Sequence, residues 1–230
     1  MADYHVNLGN VFEVARTLQA ERDQVQFMTA VTGAGISVAS GLPLLEDEVQ
    51  DVPLREFFAP ELLHDCPHQY YKVYREALMT WRKATPNAAH FALAKVGVWI
   101  VTQNVDGLHW DAGSKHVIEL HGNFRELLCR TCQQIYSSQL ALRNEVPTCT
   151  GCHRPLEPGI VLEGQEIRHF SRAVDWVGRS QLLFVVGTML QMDPVRRLPR
   201  IAKDNGAHVV WVNEEAERVL PVLCRALLTH

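Results

Sequence analysis

Apolar residues recur at helical spacing at Val11, Phe12, Ala15 and Leu18, which predicts a helix over 11–18. A short apolar run at 27–31 follows and leads into the glycine turn Gly33-Ala34-Gly35, the pattern of a strand feeding a phosphate-style loop. Further runs at 98–101, 117–120, 182–186 and 208–212 read as buried strands, each separated from the next by a helix or a polar loop. Strands spaced by helices predict a parallel sheet covered on both faces. Thr85-Pro86 reads as a helix start, with Thr at the cap, Pro at the first helical position and the helix body over 88–96.

Two stretches break this pattern and predict a smaller module beside the sheet. Residues 51–83 are rich in aromatic and charged side chains and helical in period, and residues 123–158 are built around four cysteines. Neither has the apolar length for an independent core, so the second is expected to depend on a metal.

Bulk properties narrow the function classes. At 230 residues and 47% hydrophobic, the chain has material for one large domain or for a domain with a small insertion. A formal charge of -4 gives no electrostatic basis for nucleic acid or a membrane surface as the main partner. MADYHVNLGN lacks a basic segment followed by an apolar core, and no run approaches the roughly 18 apolar residues of a membrane span. A soluble, cytoplasmic protein is the expectation, and nothing in the sequence specifies its oligomeric state.

Cysteine spacing carries the sharpest chemical signal. Cys129, Cys132, Cys149 and Cys152 form C-x2-C-x16-C-x2-C, within the window of a tetrahedral thiolate zinc site. Four thiolates leave no open coordination position, so one structural zinc ion is predicted, and the chemistry must come from elsewhere. Cys66 and Cys224 are expected as buried free thiols.

That chemistry is sought at the carboxyl ends of the strands. The turn Gly33-Ala34-Gly35 offers unpaired backbone N–H groups to a diphosphate, although a ligand-free strand-to-helix connection also uses such a turn. Gly187-Thr188 and Asn213-Glu214 leave two further strands at the same end, and the three loops together favour a nucleotide. Gln103, Asn104 and Asp106 follow the strand at 98–101; they suit a carboxamide or sugar ligand, or simply a solvated loop or helix cap. His121, with Gly122 leaving backbone room beside it, is placed for proton transfer, whereas His109 is read as structural.

Taken together, the motifs GAGIS and SGLP (33–43), PNAAHFAL (86–93), TQNVDGLH (102–109), His121-Gly122, both cysteine pairs, Gly187-Thr188 with Pro194, Leu198-Pro199, Gly206-Ala207 and Asn213 resemble the sirtuin family of NAD-dependent protein deacylases. The likeness covers nearly the whole chain. It implies an α/β fold: a Rossmann-like parallel-sheet domain (1–43, 86–122 and 159–230) and a small domain of zinc ribbon and helical insertion (44–85 and 123–158). It implies that Gly33, Ala34 and Gly35 hold the diphosphate of NAD, that Ile36, Asn104 and Asp106 surround nicotinamide, and that Gln103 meets its ribose. Gly187, Thr188, Asn213 and Glu214 would bind the adenosine half, and Val161 and Leu162 the acyl-lysine peptide. His121 and Asn104 would be catalytic, with His121 as general base on a ribose hydroxyl and the acyl group leaving on ADP-ribose as nicotinamide is released.

Several positions depart from the family pattern. Leu44-Leu45-Glu46 stands where the family has Asp-Phe-Arg, so an acid replaces a base near the diphosphate. Glu163 and Gln165 replace an aromatic residue and an acid in the peptide clamp, and Met189 replaces a serine. Tyr71 and Arg75 lie one helical turn apart, a hint of a carboxylate-bearing acyl group that competes with plain helix packing. The departures keep two other readings open: an NAD hydrolase or ADP-ribosyl transferase in the same cleft, and a non-catalytic module that binds NAD or ADP-ribose.

Overall fold

The computed structural model describes residues 2–44, 47–49, 52–53 and 59–228, so Leu45 and Glu46 of the altered loop lie outside the described residues. Six strands form a parallel sheet: β1 (Asp3–His5), β2 (Met28–Thr32), β5 (Trp99–Thr102), β6 (Val117–Glu119), β10 (Leu182–Val186) and β11 (His208–Val212). Their spatial order is β1-β11-β10-β2-β5-β6. The chain therefore leaves β2 toward β5 and β6 on one side, and later fills β10 and β11 on the other. A parallel sheet opens a crevice at such a reversal, at the carboxyl ends of the strands.

Side chains alternate across the sheet as the pleat requires. Ala30, Ile100, Phe184, Val186 and Val210 pack on one face against α1 (Val11–Glu21), α4 (Ala88–Lys95) and α8 (Ala216–Leu228). Val31, Val101, Leu183, Val185 and Val209 pack on the other against α6 (Phe170–Arg179) and α7 (Leu198–Asp204). All five residues of β10 are buried, and for this reason its sequence is apolar without alternation.

Two local expectations are corrected. In α1 the buried face is Val11, Val14, Ala15 and Leu18, at i, i+3, i+4 and i+7, and Phe12 is 68% exposed. Helix α4 starts two residues later than Thr85-Pro86 predicts. Asn87 is the cap: its Oδ1 accepts from Ala89 N at 2.9 Å, while its Nδ2 donates to Ile36 O at 2.7 Å and Ser40 Oγ at 3.0 Å. One amide thus caps the helix and anchors the glycine loop, a double use open to Asn and not to Thr.

The smaller module comprises α2 (Pro60–Asp65), α3 (Pro67–Trp81), a short antiparallel pair β3 (Glu48–Val49) and β4 (Val52–Pro53), and a three-stranded antiparallel sheet ordered β8-β7-β9. The last consists of β7 (Gly122–Leu128), β8 (Ile135–Ser137) and β9 (Glu157–Ile160). Tyr70, Tyr71, Tyr74 and Trp81 of α3 bury themselves against Phe124, Leu127, Cys129, Cys149 and Leu156. Tyr71 Oη donates to Leu156 O at 2.6 Å, and Arg75 Nη1 donates to Asn144 O at 3.2 Å and Glu145 O at 2.9 Å. Both side chains are therefore committed to helix packing, which removes the hint of a carboxylate-reading pair. Cys224 is buried as expected, but Cys66, at the junction of α2 and α3, is exposed. Among the described residues no helix is long and apolar enough to cross a membrane.

Candidate active site

Because all six strands run parallel, the loops after β2, β5, β6, β10 and β11 emerge on one edge. At its centre the turn after β2 meets the turn after β10 at backbone contact. Gly33 N donates to Val186 O at 3.0 Å and Gly35 N to Gly187 O at 2.9 Å. A Cβ on Gly33 would lie 2.6 Å from Thr188 Cβ, and one on Gly35 2.7 Å from Gly187 Cα. Close approach explains both glycines. It also changes the expected donor: Gly33, Gly35 and Ile36 N–H groups all find backbone acceptors. Among the described residues Ala34 N–H has none, so it is the donor of this turn left for an anion.

The loop after β5 closes on the same turn. Asn104 Nδ2 donates to Gly33 O at 3.1 Å and to Ser37 Oγ at 3.2 Å. A carbonyl can only accept, so the nitrogen must face Gly33, and the Asn104 Oδ1 is left as acceptor toward the crevice. Ser37 Oγ in turn donates to Asp106 Oδ2 at 2.8 Å, while Asp106 Oδ1 accepts from Leu108 N at 2.9 Å. Burial pushes the Asp106 carboxyl above the usual carboxylate range, and the bonds from Leu108, Ser37 and Asn104 pull it back. Gln103 Nε2 donates to Thr188 Oγ1 at 2.9 Å, and Thr188 N to Asn213 Oδ1 at 3.1 Å. Glu214 is exposed beside Asn213.

His121 follows β6, half-buried. Burial lowers its pKa from the usual 6.5, and its bond to the Gln103 backbone opposes the shift. The imidazole is therefore neutral at pH 7, a base with one ring hydrogen held by protein. Its carbonyl accepts from Val161 N at 2.8 Å, which lays the stretch after β9 alongside it. Leu162 is buried, and Gln165 Oε1 accepts from Leu162 N at 3.1 Å and Arg130 Nη2 at 3.2 Å. An uncharged amide thus closes this turn at the position where an acid was expected, and Glu163 points outward as an exposed residue. Beside Val161 lies a cavity of about 500 Å³ lined in part by Arg130, Val161, Gln165 and Arg168. Met189 is 70% exposed at the opposite rim.

The four cysteines converge. Their Sγ atoms all lie within 4.8 Å of one another, with Cys129–Cys152 at 3.4 Å and Cys132–Cys149 at 3.5 Å. Four thiolates around one centre at Zn–S bonds of about 2.3 Å have such separations, so the donor set fits a closed zinc site. His109 is buried, its Nε2 3.0 Å from Thr32 Oγ1, as its structural reading required. Ser37, absent from the residues predicted for the site, joins Asn104, Asp106 and, at 3.5 Å, His90 Nε2. Its signal was present as the last residue of GAGIS.

A six-stranded parallel sheet with a glycine crevice at its carboxyl edge, joined to a four-thiolate module, defines a Rossmann-like nucleotide-binding protein with a zinc ribbon. The Sir2 family model matches residues 33–194. An NAD-dependent protein deacetylase of Bacillus anthracis is 34% identical over 215 residues, covering 89% of this chain and 88% of the relative. An NAD-dependent protein deacylase of Thermococcus sibiricus is 31% identical over 214 residues, covering 86% and 84%. A Sir2 homologue solved as a complex with NAD superposes with a TM-score of 0.85 at 27% identity, over 99% of this chain and 96% of that one. A Sir2 protein bound to a propionylated peptide gives 0.79 at 27% identity, over 89% and 94%. The chain belongs to the Sir2 family.

Proposed function

We propose that the protein is an NAD-dependent protein-lysine deacylase, which transfers the acyl group to ADP-ribose and releases nicotinamide. The observation that carries the reading is the meeting at one sheet edge of a half-buried neutral imidazole, His121, with Gln103, Asn104, Asp106 and the Gly33–Gly187 turn pair. The relatives named as deacetylases and deacylases, and the Sir2 structures holding NAD or acylated peptides, support it.

NAD, when bound, supplies a sugar carbon that accepts the acyl oxygen as nicotinamide departs. The residues present suit that ligand. Gly33, Ala34 and Gly35 would hold the diphosphate, with Ala34 N–H as the free donor; Asn104 Oδ1 would accept from the carboxamide, and Ile36 and Asp106 would wall the nicotinamide side. Gln103 serves the ribose; Gly187, Thr188, Asn213 and Glu214 line the adenosine side. His121, neutral above its lowered pKa, takes a proton from a ribose hydroxyl. Val161 and Leu162 hold the acyl-lysine peptide along the stretch after β9. Asn104 and His121 are the residues that touch reacting groups. We take 1–43, 86–122 and 159–230 as the NAD-binding domain and 44–85 and 123–158 as the small domain, with one zinc on Cys129, Cys132, Cys149 and Cys152. A reduced cytoplasmic setting suits four free thiolates.

Nicotinamide release is the assay. It should require an acyl-lysine peptide and fall by at least about a hundred-fold in His121→Ala. Release at an equal rate without peptide would instead support NAD hydrolysis or ADP-ribosyl transfer, and tight NAD binding without turnover of any acyl peptide would support a binding module.

A further inference from the structure

Beneath the crevice lies a second layer that none of the steps above uses. His90 and His109 are both fully buried, their ring centroids 4.9 Å apart. Each ends a chain of hydrogen bonds that terminates on Asn104. On one side, Asn87 N–H approaches His90 Nδ1 at 3.4 Å, which makes Nδ1 an acceptor and leaves the ring hydrogen on Nε2, toward Ser37 Oγ at 3.5 Å. Ser37 passes its own hydrogen to Asp106 and accepts from Asn104 Nδ2.

The other side links its ring to Asn104 through shorter bonds, none above 3.0 Å against 3.5 and 3.2 Å on the His90 side. Asn104 backbone N–H donates to Thr102 Oγ1 at 3.0 Å, which also accepts from Thr32 Oγ1 at 2.8 Å. With its only hydrogen committed to Thr102, Thr32 Oγ1 must accept from His109 Nε2, 3.0 Å away. His109 Nδ1 is then a bare lone pair, and among the described residues it has no hydrogen-bond partner. The opposite tautomer would bury an unpaired N–H, the rarer and costlier defect.

We infer that His109 is a positioning residue: as a neutral Nε2–H donor it sets the direction of the Thr32 and Thr102 hydroxyls, pins the Asn104 backbone, and so holds Asn104 Oδ1 in line for the carboxamide of a nicotinamide ligand. The inference rests on the reading of the crevice as an NAD site and deepens it. Without the ring donor, both hydroxyls are free to turn, and Thr102 no longer has to accept from Asn104.

His109→Gln retains an N–H donor, His109→Leu removes it, and Thr32→Val cuts the same chain one bond further on. NAD binding by calorimetry, without peptide, is the readout, with thermal melting run in parallel. We expect His109→Leu and Thr32→Val each to weaken NAD binding by about ten-fold and His109→Gln by less than about three-fold. The double variant should be no weaker than the worse single one, because both cut one chain. Nitrogen-15 NMR of labelled histidines in the parent should report the Nε2–H tautomer for His109. An Nδ1–H tautomer, parent-like binding in Thr32→Val, or equal losses in the Gln and Leu variants would overturn the inference. If His109→Leu does not fold, Thr32→Val and the tautomer decide it. A parent that binds no NAD overturns the crevice reading instead, a separate outcome from indifferent variants.

Discussion

Gln103 Nε2 donates to Thr188 Oγ1 at 2.9 Å, which ties the loop after β5 to the loop after β10 across the end of β2, the strand between them. The same hydroxyl accepts from Leu190 N at 3.2 Å, and Thr188 N reaches Asn213 Oδ1. One residue therefore links three loops, two through its hydroxyl and the third through its backbone N–H. Thr188→Val keeps the shape and deletes the hydroxyl. We expect NAD affinity to fall by roughly five-fold with little change in melting temperature, since about 1 kcal/mol of hydrogen bonding is lost at the edge. Thr188→Ser should restore binding. Calorimetry that finds the valine variant equal to the parent would show that the tie does not shape the crevice.

The turn pair beneath that tie is limited by backbone contact. Gly187 has φ +61°, and a Cβ there would sit 2.2 Å from Ile36 N and 2.5 Å from the Gly35 carbonyl carbon. Gly187→Ala must either push the two turns apart or leave the left-handed conformation, and either breaks the Gly35 N to Gly187 O bond. Gly97 supplies the control, with φ +72° and nothing within 4 Å of its Cβ. Denaturant titration should give a loss of about 1 kcal/mol for Gly97→Ala, the conformational cost alone. For Gly187→Ala we expect at least about 3 kcal/mol, together with lost NAD binding. Equal costs would mean that the close approach is not a constraint.

These two positions also mark what the sequence made legible. Strands 182–186 and 208–212 coincide with their predicted runs: all five positions of the first are buried, which leaves no alternation to misread, and the second buries Val209, Val210 and Val212 on its two faces. The four cysteines were legible because thiolate geometry fixes their spacing. Phe12 misled because hydrophobicity alone does not say which residues share a face; Val14, two positions on, lies on the buried stripe. Asn87, Ser37 and His90 were hidden for another reason. Their partners are 51, 69 and 53 residues away in the chain, so nothing local distinguishes them from an ordinary cap, a small polar residue and a core histidine. The glycine turn was found for a partly different cause, since steric contact rather than free N–H groups demands Gly33 and Gly35.

The thiolate centre should act on more than its own loop. Tyr71 and Arg75 of α3 bond to backbone carbonyls of the cysteine module, and the α3 tyrosines share its core with Cys129 and Cys149. Stripping the metal removes the module's main support and with it the surface against which α3 packs. Elemental analysis should find one zinc per chain, and a strong chelator or Cys149→Ala should lower the melting temperature and abolish deacylation. Tyrosine and tryptophan fluorescence should change in step, because Tyr70, Tyr71, Tyr74 and Trp81 lose their burial. Full activity in metal-free protein would contradict a structural role.

Acid should weaken the fold through the same histidines that underlie the crevice. Burial depresses both, His90 to about 4 and His109 well below the ordinary 6.5, with neighbouring His90 adding to the effect on His109. Below pH 6.5 the unfolded chain takes up protons that the folded chain refuses, so stability is whole above that value and falls as pH drops toward 4. Each buried histidine contributes a slope of about 1.4 kcal/mol per pH unit within that window. His121, also lowered by burial, adds in the same direction. Urea midpoints measured between about pH 7 and about pH 5 should therefore decline, and His109→Gln should flatten the decline by one histidine's share. A midpoint that holds or rises on acidification would show that these rings titrate freely in the folded protein. It would also remove the neutral donor on which the Thr32–Thr102–Asn104 chain depends.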